Sequence, residues 1–199
     1  MKVAIVKYNA GNVESVSNAL RRLNVEPIIS DDAEILQTVD RVIFPGVGEA
    51  STAMNFLRES NLDAVIKNLQ QPVLGVCLGM QLLGESSDEN ETDCLGLVPF
   101  RAKKFESQTL KVPHVGWNQI VNLKSELFKG IPESSFVYFV HSYFVENNDF
   151  TIASCDYAEN FSAAIHYKNF YAVQFHTEKS GEIGAKILEN FLNIEDSPN

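Results

Sequence analysis

Apolar residues in the first half of the chain follow two different periods. Short apolar runs that are typical of buried strands occupy residues 2–8 (KVAIVKY), 25–30 (VEPIIS), 41–46 (RVIFPG) and 72–77 (PVLGVC). Helical spacing separates them at residues 11–23 (GNVESVSNALRRL) and 49–69, the latter with a predicted break near Ser60 and Asn61. Short apolar strands that alternate with helices predict a parallel sheet covered on both faces.

The pattern changes after Gly84. Residues 84–94 (GESSDENETDC) are acidic and rich in turn formers, which predicts an exposed loop. Strand-like runs then follow at 97–105, 116–123, 134–145, 150–155, 161–168 and 169–175, with a turn or short helix predicted at 125–134. Residues 182–194 (EIGAKILENFLNI) have an apolar helical stripe, which predicts a closing amphipathic helix.

The length of 199 residues suits one domain with a substantial core. We therefore predict an α/β fold, a single domain over residues 1–199 with an open, mostly parallel sheet flanked by helices and additional antiparallel strands in the second half. The acidic, proline-containing end predicts a frayed tail over residues 194–199.

Charge and composition exclude several classes of function. The net charge of −10 gives no basic stripe for a phosphate backbone, so we expect no nucleic-acid partner. No apolar run is long enough to span a bilayer and the first residues lack the features of a signal peptide, so we expect no membrane and a cytoplasmic location. Three cysteines without a CxxC pair argue against a disulfide framework or a zinc site, and no cofactor fingerprint is present.

Cys77 lies where a predicted strand meets a helical pattern, in the sequence Gly75-Val76-Cys77-Leu78-Gly79. This GxCxG arrangement has the form of a nucleophile elbow, in which a tight turn requires small flanking residues. A following helix would direct its N-terminus at the sulfur and favour the thiolate, and the Leu78 N–H would help to stabilise an oxyanion. The alternative is a buried structural cysteine beside glycines that ease packing.

A cysteine nucleophile requires a base, and the sequence contains four histidines. His176 follows an apolar strand, with Glu178 two residues later to orient its ring. His166 lies inside a strand, where packing is the simpler interpretation. His114 is predicted to lie in a loop, and His141 is a lesser rival; a structural role for His176 is the remaining alternative.

A glycine-bearing loop follows the third strand. Pro45-Gly46-Val47-Gly48 can present a backbone N–H in a conformation that glycine tolerates. The loop is not a phosphate loop, because no GK[ST] follows it. The alternative is an ordinary glycine-rich turn without a ligand.

Taken together, "PGVG", "GVCLGMQLLGE" and "QFHTEKS" resemble the class I, triad-type glutamine amidotransferases, in order and over nearly the whole chain. The stretches "YNAGNVESVSNAL", "VPHVGWNQI" and "YFVHSYFV" look like the glutaminase subunits of imidazole glycerol phosphate synthase. The resemblance implies a flavodoxin-like fold and a Cys77–His176–Glu178 triad that hydrolyses glutamine through a glutamyl thioester.

The resemblance also implies roles around the triad. The oxyanion would be held by Leu78 and by the loop of Gly46, Val47 and Gly48, with Val47 as the donor. The substrate would be bound by Gln81, Glu89, Ser142 and Tyr143, with Glu85, Asp88 and Glu91 as rivals of Glu89.

In this family the ammonia passes to a (β/α)₈ cyclase subunit, so the resemblance implies a heterodimer that serves histidine biosynthesis. Asn12, Trp117 and Lys179 look like residues that face this partner. Core packing is the alternative for Trp117, and a solvated helix start is the alternative for Lys179. Such subunits are often nearly inactive alone, because the oxyanion loop rests with its N–H turned away.

One residue departs from the family's pattern. Thr177 stands between His176 and Glu178, where the family usually has proline. Threonine restores a backbone donor and rotation about φ, so we expect Thr177→Pro to leave the reaction unchanged and to alter its rate modestly.

Three alternative functions remain open from the sequence. The chain could serve another synthase of the same class, such as one for surface-sugar amidination. It could be a stand-alone cysteine amidase or peptidase on the same fold. A catalytically silent binding protein is the third alternative, and the complete set of Cys77, His176 and Glu178 argues against it.

Overall fold

The structure is a computed structural model that describes residues 1–9 and 11–195. Its strands are β1 (Val3–Val6), β2 (Ile28–Ser30), β3 (Arg41–Phe44), β4 (Val73–Val76), β5 (Ser86–Ser87), β6 (Thr92–Asp93), β7 (Arg101–Lys104), β8 (His114–Ile120), β9 (Ser135–His141), β10 (Tyr143–Val145), β11 (Thr151–Tyr157), β12 (Glu159–Tyr167) and β13 (Phe170–Val173). Its α-helices are α1 (Val13–Arg22), α2 (Ala33–Thr38), α3 (Ala50–Glu59), α4 (Leu62–Lys67), α5 (Leu78–Gln81) and α6 (Gly181–Leu192).

A seven-stranded sheet with the order β11-β12-β13-β4-β3-β1-β2 forms the centre of the molecule. The five strands from β13 to β2 pair in parallel, while β12 and β11 add antiparallel strands at one edge. This arrangement confirms the predicted α/β fold. Because parallel strands share one direction, the loops that follow β1, β3, β4 and β13 all leave the same edge of the sheet, where ligands of open α/β folds bind.

The sheet separates two apolar layers. Strand β1 illustrates the division, since Val3 and Ile5 pack with α1, α6 and the β8–β9 hairpin, whereas Ala4 and Val6 pack with α2, α3 and α4. Alternate side chains of a strand point to opposite faces, so a strand covered on both faces must be apolar throughout. All four residues of β1, β3 and β4 are accordingly buried.

The second half forms two smaller sheets. Strands β8 and β9 pair as an antiparallel hairpin, and β10-β7-β5-β6 form a four-stranded sheet. The run predicted as one strand over 134–145 is therefore divided at Ser142, because β9 pairs with β8 and β10 pairs with β7. The break places Ser142 and Tyr143 at the edge of the cavity described below.

One local prediction was wrong here and one helix was missed. The acidic stretch 84–94 is not simply an exposed loop, since β5 and β6 pair within it and Ser87 and Thr92 are buried. Helix α2 was not predicted; its N-terminus is capped by Asp32, whose carboxylate accepts from the Glu34 and Ile35 backbone N–H groups. The predicted break between α3 and α4 is confirmed, with Asn61 in a left-handed conformation (φ 59°).

The chain end is packed further than predicted. Ile194, which was assigned to the frayed tail, is 7 % exposed and belongs to the core that contains α6. The Arg41 guanidinium donates to the Ile194 carbonyl at 2.5 Å, so this residue is held at both backbone and side chain. The remaining tail prediction, over 196–199, lies outside the described residues.

Candidate active site

Cys77 lies at the junction of β4 and α5 with a backbone conformation of φ 54° and ψ −110°. Its N–H donates to the Val173 carbonyl on the neighbouring strand at 2.8 Å, which holds the turn at the carboxyl edge of the sheet. A Cβ at residue 79 would lie 2.0 Å from the Phe44 carbonyl oxygen, so only glycine allows the turn to approach β3. The glycine at this position is therefore required by contact with another strand.

The helix after Cys77 is shorter than the sequence pattern predicted. It spans only Leu78–Gln81, a single turn, although Leu82 and Leu83 continue the buried surface. A macrodipole is the sum of many aligned peptide units, so one turn contributes little to a thiolate. Stabilisation of the sulfur anion must therefore come mainly from the side chains around it.

His176 and Glu178 form a buried pair beside Cys77. The His176 Nδ1 lies 2.7 Å from Glu178 Oε1, and since a carboxylate accepts, Nδ1 carries the proton. Nε2 is buried and has no partner at full hydrogen-bond geometry among the described residues, and the Cys77 sulfur lies close enough to act on the ring. The unprotonated Nε2 is thus left available to the thiol.

Two further contacts hold the pair in place. The Ser180 hydroxyl donates to the His176 carbonyl at 2.6 Å and accepts from the Tyr138 N–H at 3.0 Å, which ties the segment to β9. Asn12 donates from Nδ2 to Glu178 Oε1 at 3.1 Å. The asparagine that the sequence assigned to the partner surface therefore contacts the triad carboxylate.

The environment shifts both ionisable groups toward their charged forms. Burial alone would lower the pKa of the His176 imidazole, but the Cys77 sulfur and the Glu178 carboxylate outweigh it and raise that pKa to about 10. Burial would raise the pKa of Glu178, but the hydrogen bond and charge of His176 lower it below its ordinary value. Both shifts stabilise the pair of imidazolium and carboxylate that forms once Nε2 of His176 takes up a proton.

The PGVG loop is in a conformation that blocks the predicted oxyanion site. The Leu78 N–H donates to the Gly46 carbonyl at 3.3 Å, so this donor is already occupied. In a trans peptide the N–H points opposite to the C=O, so the Val47 N–H of the same peptide faces away from Leu78. The two predicted donors therefore do not converge in this conformation.

Both ends of the loop are anchored. The Tyr8 hydroxyl donates to the Pro45 carbonyl at 2.5 Å, and a Cβ on Gly46 would lie 2.9 Å from the same hydroxyl. At the other end, the Ala50 N–H at the start of α3 donates to Glu89 Oε2 at 2.7 Å. Three peptide bonds, from Gly46–Val47 to Gly48–Glu49, lie between these anchors.

A cavity of about 330 Å³ opens beside the sulfur. Its lining includes the predicted oxyanion and substrate residues Val47, Gly48, Leu78, Gln81, Glu89, Ser142 and Tyr143, together with Cys77. Burial, and the charge of Glu49, raise the pKa of Glu89 despite the Ala50 N–H. Its rivals are directed elsewhere, since Asp88 and Glu91 pair with Arg101 and Glu85 is exposed.

The other histidines are placed differently from His176. His166 is half-buried in β12 and stacks on Tyr171, as its strand position predicted. His114 begins β8 and is buried, so the predicted loop position was wrong. Its Nδ1 lies 3.1 Å from Nε2 of His141, and burial lowers the pKa of His114 to about 4 and that of His141 to about 3.

The remaining predicted residues lie on an outward surface. Trp117 is 55 % exposed, so it does not pack in the core. Beside it on β8 and β9 lie Val115 and Phe136, also exposed, and the Tyr138 ring, which the Lys179 ammonium approaches at 5.8 Å. We call Val115, Trp117, Phe136, Tyr138 and Lys179 the hairpin face.

Sequence reasoning missed two residues that contact the site. Tyr8 anchors the PGVG loop, and Gln174 donates from Nε2 to the Cys77 sulfur at 3.7 Å. Gln174 is a lone polar residue within the apolar run "YAVQF", which is a signal that it has a buried polar partner.

Neither a cluster of metal-ligating side chains nor a membrane-spanning helix is found among the described residues. No group of three or more His, Cys, Asp or Glu side chains there is arranged to hold a metal ion. None of the helices in that part of the chain is long and apolar enough to cross a membrane.

Comparisons with known proteins give the family. The model of the family described as glutamine amidotransferase class-I matches residues 4–194. The imidazole glycerol phosphate synthase subunit HisH of Bacteroides fragilis (strain YCH46) is 57 % identical over 196 residues, which cover 98 % of this chain and 100 % of that protein. HisH of Escherichia coli (strain K12) is 45 % identical over 196 residues, with coverage of 98 % and 100 %.

Among solved structures, PurLQS from Thermotoga maritima has a TM-score of 0.71 at 18 % identity, covering 96 % of this chain and 97 % of that chain. At this identity the likeness concerns the fold alone. The family match and the full-length relatives carry the assignment: the chain belongs to the class I glutamine amidotransferases, in the family of the HisH subunits of imidazole glycerol phosphate synthase.

Proposed function

We propose that this chain hydrolyses glutamine to glutamate and ammonia and delivers the ammonia to the cyclase subunit of imidazole glycerol phosphate synthase, in the cytoplasm, for histidine biosynthesis. The observation that carries the proposal is that Cys77 lines the cavity and lies beside His176, whose Nδ1 is bonded to the Glu178 carboxylate at 2.7 Å. The HisH relatives support the pathway.

The chemistry is covalent catalysis by the cysteine. Cys77 transfers its proton to Nε2 of His176, and the sulfur attacks the side-chain amide carbon of glutamine. The imidazolium then protonates the departing nitrogen. The C–N bond breaks, ammonia leaves, and a glutamyl thioester remains on Cys77. A water molecule, deprotonated by the same imidazole, cleaves the thioester to give glutamate and the thiol. Glu178 orients the ring and stabilises its charged form throughout.

The loop conformation predicts that the isolated chain hydrolyses glutamine slowly. The tetrahedral oxyanion needs the Leu78 N–H, which the Gly46 carbonyl occupies. Rotation of the Gly46–Val47 peptide removes the carbonyl and brings the Val47 N–H towards Leu78 in the same motion. The partner would raise activity by favouring the rotated state, which is allostery in the strict sense when both states are demonstrated.

Substrate recognition follows from the cavity lining. Glu89 offers a carboxylate for the α-ammonium group of glutamine, and the backbone at Ser142 and Tyr143 offers donors for its α-carboxylate. The Gln81 side-chain amide donates to the Tyr143 carbonyl at 3.0 Å, so it also holds this segment at the cavity edge. The cavity can thereby bind both the α-ammonium and the α-carboxylate group of an amino acid.

The hairpin face is the surface we assign to the (β/α)₈ cyclase partner in a heterodimer. Its exposed Val115, Trp117 and Phe136 form an apolar group of the kind that marks a protein interface, and tryptophan is frequent among residues that dominate binding. The group lies next to the triad, because Tyr138 accepts the His176 N–H at 2.9 Å. Any lyase chemistry belongs to that partner.

Glutamate release from glutamine tests the proposal directly. It is measured for the chain alone and with a histidine-pathway cyclase subunit and its ligand, with Cys77→Ala as the control. We expect strong stimulation by the cyclase and loss of activity in the variant. Activity that ignores the cyclase would leave a stand-alone amidase, and no activity in either assay would contradict glutamine hydrolysis by this pair.

A further inference from the structure

Gln174 is a buried amide placed between the substrate cavity and the nucleophile. It follows β13, two residues before His176, and has 0 % exposure. Its backbone N–H donates to the Ala163 carbonyl at 2.8 Å, which extends the pairing of the central sheet and fixes the backbone. A polar side chain with no access to water is costly unless its donors and acceptor are matched within the protein.

The direction of this amide follows from its neighbours. The Tyr143 carbonyl can only accept, so the Gln81 atom 3.0 Å from it is the donor Nε2. The same Nε2 lies 3.0 Å from Gln174, so the atom it meets there is the acceptor Oε1. The Gln174 Nε2 is thereby turned to the Cys77 sulfur at 3.7 Å.

The Tyr143 carbonyl that sets this order is itself held by two donors. His141 Nδ1 lies 2.8 Å from the same oxygen, and Gln81 provides the second hydrogen bond. The Tyr143 carbonyl oxygen can only accept hydrogen bonds. It therefore fixes the direction of the hydrogen bonds that run from Gln81 to Gln174 and from Gln174 to the sulfur.

We propose that Gln174 is a catalytic residue that donates a hydrogen bond to the Cys77 sulfur and stabilises the thiolate. An N–H donor favours the charged form of a sulfur over the neutral thiol. The single-turn helix α5 supplies little dipole, which leaves the side chains to perform this task. The proposal rests on the proposed use of Cys77 as the nucleophile.

Other titratable groups surround the sulfur and are common to every variant compared below. His176 approaches it from the segment after β13 with Glu178 behind, Tyr8 from the loop after β1, and His141 from β9. The Val140 carbonyl lies 3.8 Å from the sulfur and accepts from the thiol form only. Gln174 donates an uncharged N–H to the sulfur and carries no titratable group, so its contribution is separable from theirs by substitution.

The test is the pH dependence of Cys77 alkylation by iodoacetamide, followed at the peptide level by mass spectrometry. Gln174→Met removes the donor while retaining a side chain of similar length. We expect the alkylation midpoint to rise by roughly one to two pH units, because the variant loses a hydrogen bond that favours the charged form of the sulfur. An unchanged midpoint in the folded variant would overturn the proposal.

Two further variants make the result specific. Gln71→Met removes an amide that donates to the Leu36 carbonyl at 2.6 Å, near the start of β4, and we expect no change in the midpoint. Gln174→Leu also removes the donor and adds no titratable group beside the sulfur, so the midpoint should rise as far as in Gln174→Met. This second variant decides the matter if the methionine variant fails to fold.

The alkylation assay requires neither glutamine nor the cyclase. A raised midpoint in the Gln174 variants, with no glutamate release by the unsubstituted pair, would retain the sulfur contact and reject the proposed function. An unchanged midpoint with normal glutamate release would reject the role of Gln174 and retain the proposed function.

Discussion

At the scale of single residues, the backbone conformation of the segment from His176 to Ser180 sets the position of the His176 and Glu178 side chains. His176 has an extended backbone (φ −89°, ψ 103°) before the short 3₁₀ turn Thr177–Lys179. This conformation is the one that a following proline requires. Thr177 makes no backbone N–H hydrogen bond among the described residues, and its buried hydroxyl has no partner there. Threonine at this position is thus structurally replaceable.

Thr177→Pro tests this conclusion. We expect the free energy of unfolding to rise by about 0.5–1 kcal/mol, because proline restricts the unfolded chain and no hydrogen bond is lost. Glutamate release should remain within a few-fold of the unsubstituted chain. Urea denaturation and the coupled activity assay with the cyclase measure the two effects.

Lys179→Pro is the control for the unfolding measurement, since the Lys179 N–H donates to the His176 carbonyl at 3.1 Å and would be lost. We expect that variant to be destabilised. A complete loss of activity in Thr177→Pro would mean that this turn differs from the conformation described.

The lowered pKa of Glu178 predicts a pH dependence of stability. A carboxylate whose folded pKa lies below its ordinary value of 4.5 stabilises the fold fully above pH 4.5, and this contribution is lost as pH falls through the folded pKa. Glu178→Gln should cost roughly 3 kcal/mol at pH 7, because it leaves His176 without its buried counter-ion. The difference from the unsubstituted chain should shrink as pH falls below 4.5.

Urea unfolding from pH 3 to pH 7 measures this difference. Glu182→Gln at the exposed start of α6 serves as the matched control and should give a small difference at every pH. A Glu178→Gln difference that stays constant across the range would exclude the buried carboxylate as its source.

At the scale of elements, β3 and β4 approach each other through their following turns. Gly46 and Gly79 leave no room for side chains, since a Cβ on Gly46 would lie 2.6 Å from the Gly79 nitrogen. This contact brings the oxyanion loop against the first turn of α5 and allows the Gly46 carbonyl to meet the Leu78 N–H. The resting state of the loop is thus a property of two packed turns.

Gly79→Ala should be far more damaging than Gly75→Ala. The added Cβ at residue 79 would lie 2.0 Å from the Phe44 carbonyl oxygen, whereas at residue 75 its nearest neighbour is the Gly79 oxygen at 3.0 Å. Extra atoms in a packed core usually cost about 1–3 kcal/mol, and a clash with backbone costs more because the backbone cannot move aside. We therefore expect Gly79→Ala to lower the free energy of unfolding by at least about 3 kcal/mol. Guanidinium denaturation of both variants measures the order, and equal losses would contradict the described contact with β3.

At the scale of the whole molecule, the central sheet places the triad and the hairpin face side by side. The strands end at one edge, and β9 crosses this edge with the His141 side directed inward and Phe136 and Tyr138 directed outward. Ser180 bonds to the backbone of both His176 and Tyr138. Residues on the outer surface of β9 are therefore linked to His176 through a single hydrogen-bonded side chain.

Trp117→Ala should weaken binding of the cyclase about 30-fold or more, since a buried tryptophan at the centre of an interface contributes about 2 kcal/mol or more. The affinity is measured by calorimetry with the cyclase subunit. Ile28→Ala is the matched control, because Ile28 is an exposed apolar residue (38 %) on edge strand β2, away from the hairpin face. Equal effects of the two substitutions would reject the hairpin face as the docking surface.

Much of the fold was predictable because strand and helix periods are local properties. The runs around Val3–Val6, Arg41–Phe44 and Val73–Val76 are apolar, apart from Arg41, because the sheet is covered on both faces. Helix α2 was missed because its six residues are too short for a clear period, although Asp32 supplies a capping signal. The division of the strand at Ser142 was missed because it depends on two different pairing partners.

The sequence alone determined which residues we propose to carry the chemistry, because Cys77, His176 and Glu178 lie in short motifs whose spacing follows from local backbone geometry. Only the tertiary structure decided which atoms meet. The occupation of the Leu78 N–H by Gly46, the contact of Gln174 with the sulfur and the outward position of Trp117 each join segments that are distant along the chain. Such contacts depend on sheet order and on the close approach of packed backbones, and no local period encodes either.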